Sequence, residues 1–193
     1  MPPKAKFTRE EIIQAALQIV RSQGFSALTA RVLGEQLGSS PRPIFTIFEN
    51  MEEVQQAVIA AAKCVYKEYI DKGLSEAIPF KGVGKQYISF SMQEPKLFQL
   101  LFMHEQVNIP DIQLVLPMID ESYQRIVQSI QESYHLDETL SIKLYQHLWI
   151  YTHGIATLCA TKMCRFTSED INQMISELFM SLIKQMKVGN VND

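Results

Sequence analysis

Residues 25–54, FSALTARVLGEQLGSSPRPIFTIFENMEEV, constrain the fold more than any other stretch: they read as two short helices joined by a tight turn and followed at once by a third. Ser26 or Thr29 can cap the first helix, on which Leu28, Val32, Leu33 and Leu37 recur at helical spacing. Gly38 ends it. Ser39 and Ser40 then offer side-chain oxygens to the orphan N–H groups of a second helix opening at Pro41, where a missing donor is tolerated. Ile44, Phe45 and Phe48 are expected to face inward. The outward residues, Ser39, Ser40, Arg42 and Thr46, are of the kinds that reach phosphates and base edges from a major groove. Such a layout belongs to a helix-turn-helix whose second helix reads DNA.

The longer run from Thr8 through Val54 resembles the N-terminal domain of the TetR family of transcriptional regulators. The matching residues are Ile12 and Ala15-Ala16-Leu17, then Gly24-Phe25, Thr29, Leu33-Gly34, Leu37-Gly38, Ser40, Ile44-Phe45, Phe48 and Glu52-Glu53-Val54. The resemblance implies a first helix buttressing a helix-turn-helix, with a double-stranded operator as partner. The DNA-binding set expected on this basis is Lys4, Lys6, Thr29, Arg31, Ser39, Ser40, Arg42, Phe45 and Thr46. Four positions depart from the family pattern. Phe45 stands where Tyr is usual, Ile47 where His is frequent and Met51 where a phosphate-touching Lys is common, while Pro43 stiffens the first turn of the reading helix. Fewer phosphate contacts imply a smaller salt dependence of binding.

Charge agrees with this layout. Residues 1–50 hold 6 Lys or Arg against 4 acids, net +2, and the remainder holds 12 against 17, net −5. Lys4, Lys6 and Arg9 form a short basic arm, read either as a backbone or minor-groove contact or as a solvated terminus. Arg31 and Arg42 carry the stronger expectation, since an Arg to guanine contact contributes about 1–3 kcal/mol of discrimination; the alternative is an ordinary surface charge.

With 193 residues and 47% hydrophobic content, the chain can bury a sizeable core in one or two domains. No membrane span or apolar signal core is evident, so a cytoplasmic protein is expected. Cys64, Cys159 and Cys164 have no zinc-ligand spacing, and read as small apolar residues in a reduced compartment or as redox-sensitive thiols. His104, His135, His147 and His153 lack i,i+4 pairing and neighbouring paired carboxylates, and no phosphate loop or nucleophile motif is present. Neither an enzyme nor a metal or cofactor site is expected.

Beyond residue 50 the pattern is helical throughout, making an all-α chain of about nine helices. A long helix to Leu74 carries Val54, Val58, Ala61, Ala62, Val65, Tyr66 and Tyr69 inward. Gly73 and Pro79 bracket a break. Glu94-Pro95 opens a helix expected to be almost wholly buried, from Leu97 to Met103, and one further helix, kinked or begun at Pro117, runs to Tyr134. The expected organisation is a DNA-binding domain over residues 1–50, an effector-binding and dimerisation domain over 51–188, and a disordered tail over 189–193.

The last two helices are apolar over wide faces. The helix over 139–163 is apolar nearly all round, and the next, behind Thr167-Ser168-Glu169-Asp170, presents Ile171 to Met186. A two-fold four-helix interface would cover both, through Ile150, Leu158, Ile171, Ile175, Leu178, Phe179 and Leu182, making a homodimer that sets two reading helices about 34–36 Å apart. Trp149-x-x-x-His153-Gly154, followed by Leu158, resembles the Trp-His-Gly signature of one TetR branch, which implies a ligand-binding and dimerising domain. Gly154 would permit close helix approach, and His153 would meet either a ligand polar group or a neighbouring helix. Tyr87, Phe90, Phe98, Phe102, Met103, Tyr123, Trp149 and His153 have the composition of an apolar small-molecule cavity. Together these features lead to the expectation of a TetR-type regulator, acting as a repressor released by a small apolar effector. The alternative is a helical small-molecule binding protein with weakened DNA binding.

Overall fold

Helix boundaries follow from local capping chemistry. Thr8 opens α1 (Arg9–Gln23) with a reciprocal cap: its side chain accepts the Glu11 N–H, and the Glu11 carboxylate accepts the Thr8 N–H. Thr29, not Ser26, caps α2 (Ala30–Gln36) through the Val32 N–H. Asn50 accepts the Glu53 N–H at the start of α3 (Met51–Leu74), and Asp137 caps α8 (Glu138–Ala160) through the Leu140 N–H. Thr167 and Asp170 cap each other ahead of α9 (Ser168–Gly189), and the Thr167 hydroxyl and then its backbone N–H, both donating to the Asp170 carboxylate, hold that carboxyl below its ordinary pKa.

The computed structural model describes residues 6–105 and 109–189. Among these are nine α-helices and no strand, the remaining four being α4 (Pro79–Gln93), α5 (Pro95–Phe102), α6 (Ile112–Ile119) and α7 (Tyr123–Tyr134), with 3₁₀ turns at Phe25–Ala27 and Ile44–Thr46. No helix among them is long and apolar enough to cross a membrane. Of the expected tail over 189–193, Gly189 ends α9 and residues 190–193 lie outside the described residues, as does Lys4.

Packing divides the chain into two compact units, Met1–Tyr66 with Glu94–Glu105, and Lys67–Gln93 with Gln106–Asp193. In the first unit α1 packs against α2, the 3₁₀ turn Phe25–Ala27 and α5. Its core combines Ile12, Ala16, Leu17 and Val20 with Leu33, Ile44, Phe48, Val54, Val58, Leu97 and Phe98, all buried. Arg21 grips Glu94 through two contacts of 3.0 and 2.9 Å, a fork on a carboxylate that ties α1 to the residue preceding α5. Burial of α5 stops short of expectation: Leu97 and Phe98 are fully buried, but Leu100, Leu101 and Phe102 are only half-buried and Met103 is 40% exposed. Helix α5 is a surface layer with one inward stripe.

In the second unit α4 and α7 pack against α8, which also meets α9, while α6 touches α7 and α8. The expected single helix from Pro117 to Tyr134 is in fact two, because Pro117 lies inside α6 and removes a helical donor, and the chain breaks at Asp120–Ser122 before α7. Neighbours on several sides explain why α8 is apolar nearly all round. Of the residues assigned from the sequence to a second subunit, its own unit buries Ile171 and leaves the rest half-buried or exposed.

Candidate nucleic-acid interface and a buried polar cluster

The turn after α2 is shaped by two glycines. Gly38 adopts φ 62°, and the Gly38 N–H bonds the Glu35 carbonyl at 3.0 Å while the Ser39 N–H bonds the Gly34 carbonyl at 2.8 Å, the pair of hydrogen bonds that closes a Schellman motif. Gly34 lets the chain fold back. A Cβ there would lie 3.0 Å from the Ser39 carbonyl oxygen and 3.1 Å from the Pro41 nitrogen.

Beyond this turn the reading helix expected from Pro41 does not form. Residues 41–43 are turn, and Ile44–Thr46 is one 3₁₀ turn. The Ile44 N–H bonds the Pro41 carbonyl at 3.0 Å and the Thr46 N–H bonds the Pro43 carbonyl at 3.2 Å, a spacing of three residues, and one four-residue bond, from the Phe48 N–H to the Ile44 carbonyl at 3.0 Å, closes the segment. Two prolines account for this: neither supplies a donor, and each biases the residue before it, Ser40 or Arg42, away from helical backbone. Accordingly no side chain caps the 3₁₀ turn. The Ser39 hydroxyl instead accepts the Lys6 ammonium at 3.0 Å.

Phe45 also departs from expectation. Ile44 and Phe48 are buried to 0% and 1% exposure, whereas Phe45 is 42% exposed. Positions 44 and 48 share the inward face, and residue 45 turns away from it. Lys6, Thr29, Arg31, Ser40, Arg42, Phe45 and Thr46 are all exposed on the first unit, and Ser39 is half-buried. Several are occupied: Arg31 pairs with Glu35 at 2.9 Å, the Thr46 hydroxyl donates to the Pro43 carbonyl at 2.7 Å, and Thr29 caps α2. Behind this surface Arg9 lies over the Phe48 ring at 4.3 Å and pairs with Glu53 at 2.8 Å. The Glu49 N–H and Arg9 both lower the Glu53 pKa.

The eight residues expected to line a cavity are distributed over both units. Phe98, Phe102 and Met103 belong to the first, where Phe102 meets Tyr66 edge-on at 5.1 Å. Tyr87, Phe90, Tyr123, Trp149 and His153 belong to the second. There the Tyr87 oxygen lies 2.8 Å from His153 Nδ1, and Trp149 stacks on the His153 ring at 5.1 Å. Burial lowers the His153 pKa and raises that of Tyr87; the Trp149 indole opposes the Tyr87 shift, and Asp120 adds to it. A neutral phenol donating to a neutral imidazole satisfies both groups. His153 therefore has the core partner that was one of its two expected roles. Phe90 packs edge-on against Tyr69 at 5.3 Å.

Two members of this cluster escaped the sequence analysis. Asp120 is only 4% exposed, accepts the Ser122 N–H at 2.8 Å, and hydrogen-bonds Tyr145. Burial first, and then Asp120, push the Tyr145 pKa well up. Tyr123 stacks on Tyr145 at 6.0 Å. The Asp-x-Ser spacing after Pro117 is a local turn signal that could have marked the helix break and the buried carboxylate.

Of the expected dimer residues, Ile171 is buried within its own unit at 8% exposure, and Phe179 packs on Tyr134 with ring centroids 4.9 Å apart. Leu158, Ile175, Leu178 and Leu182 are half-buried, and Ile150 is 51% exposed. Gly154 mediates no close helix approach among the described residues, since an added Cβ would meet nothing within 4 Å. The cysteines do not pack as buried apolar residues: Cys64 and Cys164 are exposed and Cys159 is intermediate. Among the described residues no group of three or more His, Cys, Asp or Glu could hold a metal ion.

No model of a known protein family matches the chain, and no curated protein matches it.

Proposed function

We propose that the chain is a TetR-type transcriptional regulator, most simply a repressor, which binds a pseudo-palindromic double-stranded operator as a homodimer. One observation carries the reading. Arg31, Ser40, Arg42, Phe45 and Thr46 are exposed around a tight turn whose backbone rests on Gly34, above a core of Leu33, Ile44 and Phe48. A rigid base under exposed cationic and hydroxyl side chains is what phosphate and base contacts require. In this reading a second copy covers the outward residues of α8 and α9, Ile150 and Leu158 among them, and a small apolar effector binds beside Tyr87, Tyr123, Trp149 and His153. Helix α3 has residues in both units and carries the coupling; about 1–3 kcal/mol between effector and operator makes a useful switch.

Selection from a random pool of duplex DNA tests this. Enrichment of a two-fold sequence, with affinity falling as salt rises, supports it; no enrichment, or salt-independent retention, refutes it. A second reading, a helical small-molecule binding protein with weakened DNA binding, is favoured by the single 3₁₀ turn at Ile44–Thr46 in place of a full helix. That protein would bind an apolar compound while failing the selection.

A further inference from the structure

The α8–α9 connection brings two of the three cysteines together. Helix α8 ends in a left-handed residue, Lys162 at φ 59°, and the chain hooks back on the last helical turn. The Lys162 N–H bonds the Cys159 carbonyl at 3.0 Å, and the Met163 and Cys164 N–H groups both reach the Leu158 carbonyl, at 3.0 and 3.4 Å. Because that carbonyl belongs to the peptide joining Leu158 to Cys159, covalent geometry limits the separation of the Cys159 and Cys164 Cα atoms to about 8 Å. Disulfides span roughly 4.4–6.8 Å. Movement of about 1 Å at most in an exposed turn, where Met163 is 77% exposed, closes that gap. Cys164 is exposed and Cys159 stands partly covered behind it.

We infer that Cys159 and Cys164 form an intramolecular redox couple, a modification site that a peroxide converts to a disulfide across the C-terminal hook of α8. Cys164, the accessible thiol, attacks one peroxide oxygen as its thiolate; the O–O bond breaks, Cys164 becomes a sulfenic acid and the other oxygen leaves as water. The Cys159 thiolate then attacks the Cys164 sulfur, the S–O bond breaks, and hydroxide takes up a proton and leaves as a second water. Two thiols lose two electrons and two protons, and the peroxide is reduced to two waters. Burial, and then the nearby Cys164 sulfur, raise the Cys159 pKa, which keeps Cys159 from being the thiol that peroxide oxidises first. The disulfide pins the short connection between α8 and α9. Cys64, on α3, has no part in it.

The test uses the full chain carrying Cys64→Ser, so that only this pair can react. Hydrogen peroxide is added in reductant-free buffer, followed by iodoacetamide, intact-mass measurement and a non-reducing gel. The expected product has lost two hydrogens, takes up no alkylating group, remains a single chain on the gel, and is restored by dithiothreitol. Adding Cys159→Ser should leave Cys164 as a sulfenic or higher acid. Adding Cys164→Ser should leave Cys159 alkylatable at the same peroxide dose. A disulfide joining two chains, or oxygen uptake on Cys164 while Cys159 stays alkylatable in the chain that retains both, overturns the proposal.

Discussion

The Tyr87 hydroxyl and His153 Nδ1, 66 residues apart, meet at 2.8 Å inside the second unit and join α4 to α8. Trp149, one helical turn before His153, stacks on the same imidazole. This contact turns a histidine that sequence could read in two ways into part of a polar core, and it makes the fold sensitive to protonation.

The sign of that sensitivity follows from burial, which holds the folded-state pKa of His153 below its ordinary 6.5. Well above pH 6.5 the ring is neutral in both states and contributes no pH dependence. Below it the unfolded chain binds a proton that the folded chain resists, so stability falls until the folded-state pKa is passed. Urea unfolding at steps between about pH 7.5 and 5 should show this loss, and His153→Gln, which does not titrate, should flatten it. Parallel slopes would remove His153 as the cause.

Gly82 and Gly84 should respond oppositely to alanine. A Cβ on Gly82 would lie 2.2 Å from the Gly73 carbonyl oxygen, a backbone atom that cannot step aside, whereas one on Gly84 would meet nothing within 4 Å. Gly82→Ala should destabilise by about 1–3 kcal/mol or more through overpacking. Gly84→Ala should stabilise by about 0.5–1 kcal/mol, because glycine loses more backbone freedom in a helix. Thermal melts of the two proteins decide it.

Removing Arg21 should loosen the first unit. Its fork on Glu94 is only partly solvated, with side chains 29% and 18% exposed, so Arg21→Ala leaves a shielded carboxylate without its cation. A cost of about 1.5–3 kcal/mol is expected from hydrogen bonds to a charged group. Hydrogen exchange should rise first in α5, and unchanged α5 protection would mean the pair is incidental.

Arg42 gives the most direct check on DNA recognition. It is exposed between two prolines. Arg42→Ala should weaken binding to a selected operator by about 1–3 kcal/mol, roughly 5- to 150-fold, if the side chain reads a base. A uniform loss on all sequences would assign it to phosphate, and an unchanged footprint would exclude it.

Helix positions were legible wherever the signal was local. The Thr29 and Thr167 caps, the stop at Gly38 and the end of α3 at Leu74 depend on residues within a turn of one another. The failures share a cause as well. Pro41 read as a helix opener, but with Pro43 two residues on the backbone closed into 3₁₀ spacing, and Phe45 turned outward with it. The candidate cavity was the least legible part, because an aromatic residue on a helix has the same periodicity whether it lines a cavity or fills a core.

By itself the sequence determined that the chain is all-helical, where most helices begin and end, and which faces are apolar, since capping and amphipathic spacing act over a few residues. Only the tertiary structure decided which apolar faces find partners inside the chain. It covered Ile171, left Ile150 exposed, set Arg21 against Glu94 and set Tyr87 against His153. Those pairings bridge 66 and 73 residues, and no local rule specifies them. They exist because helices packing to fill space leave one place where each buried polar group can meet a partner.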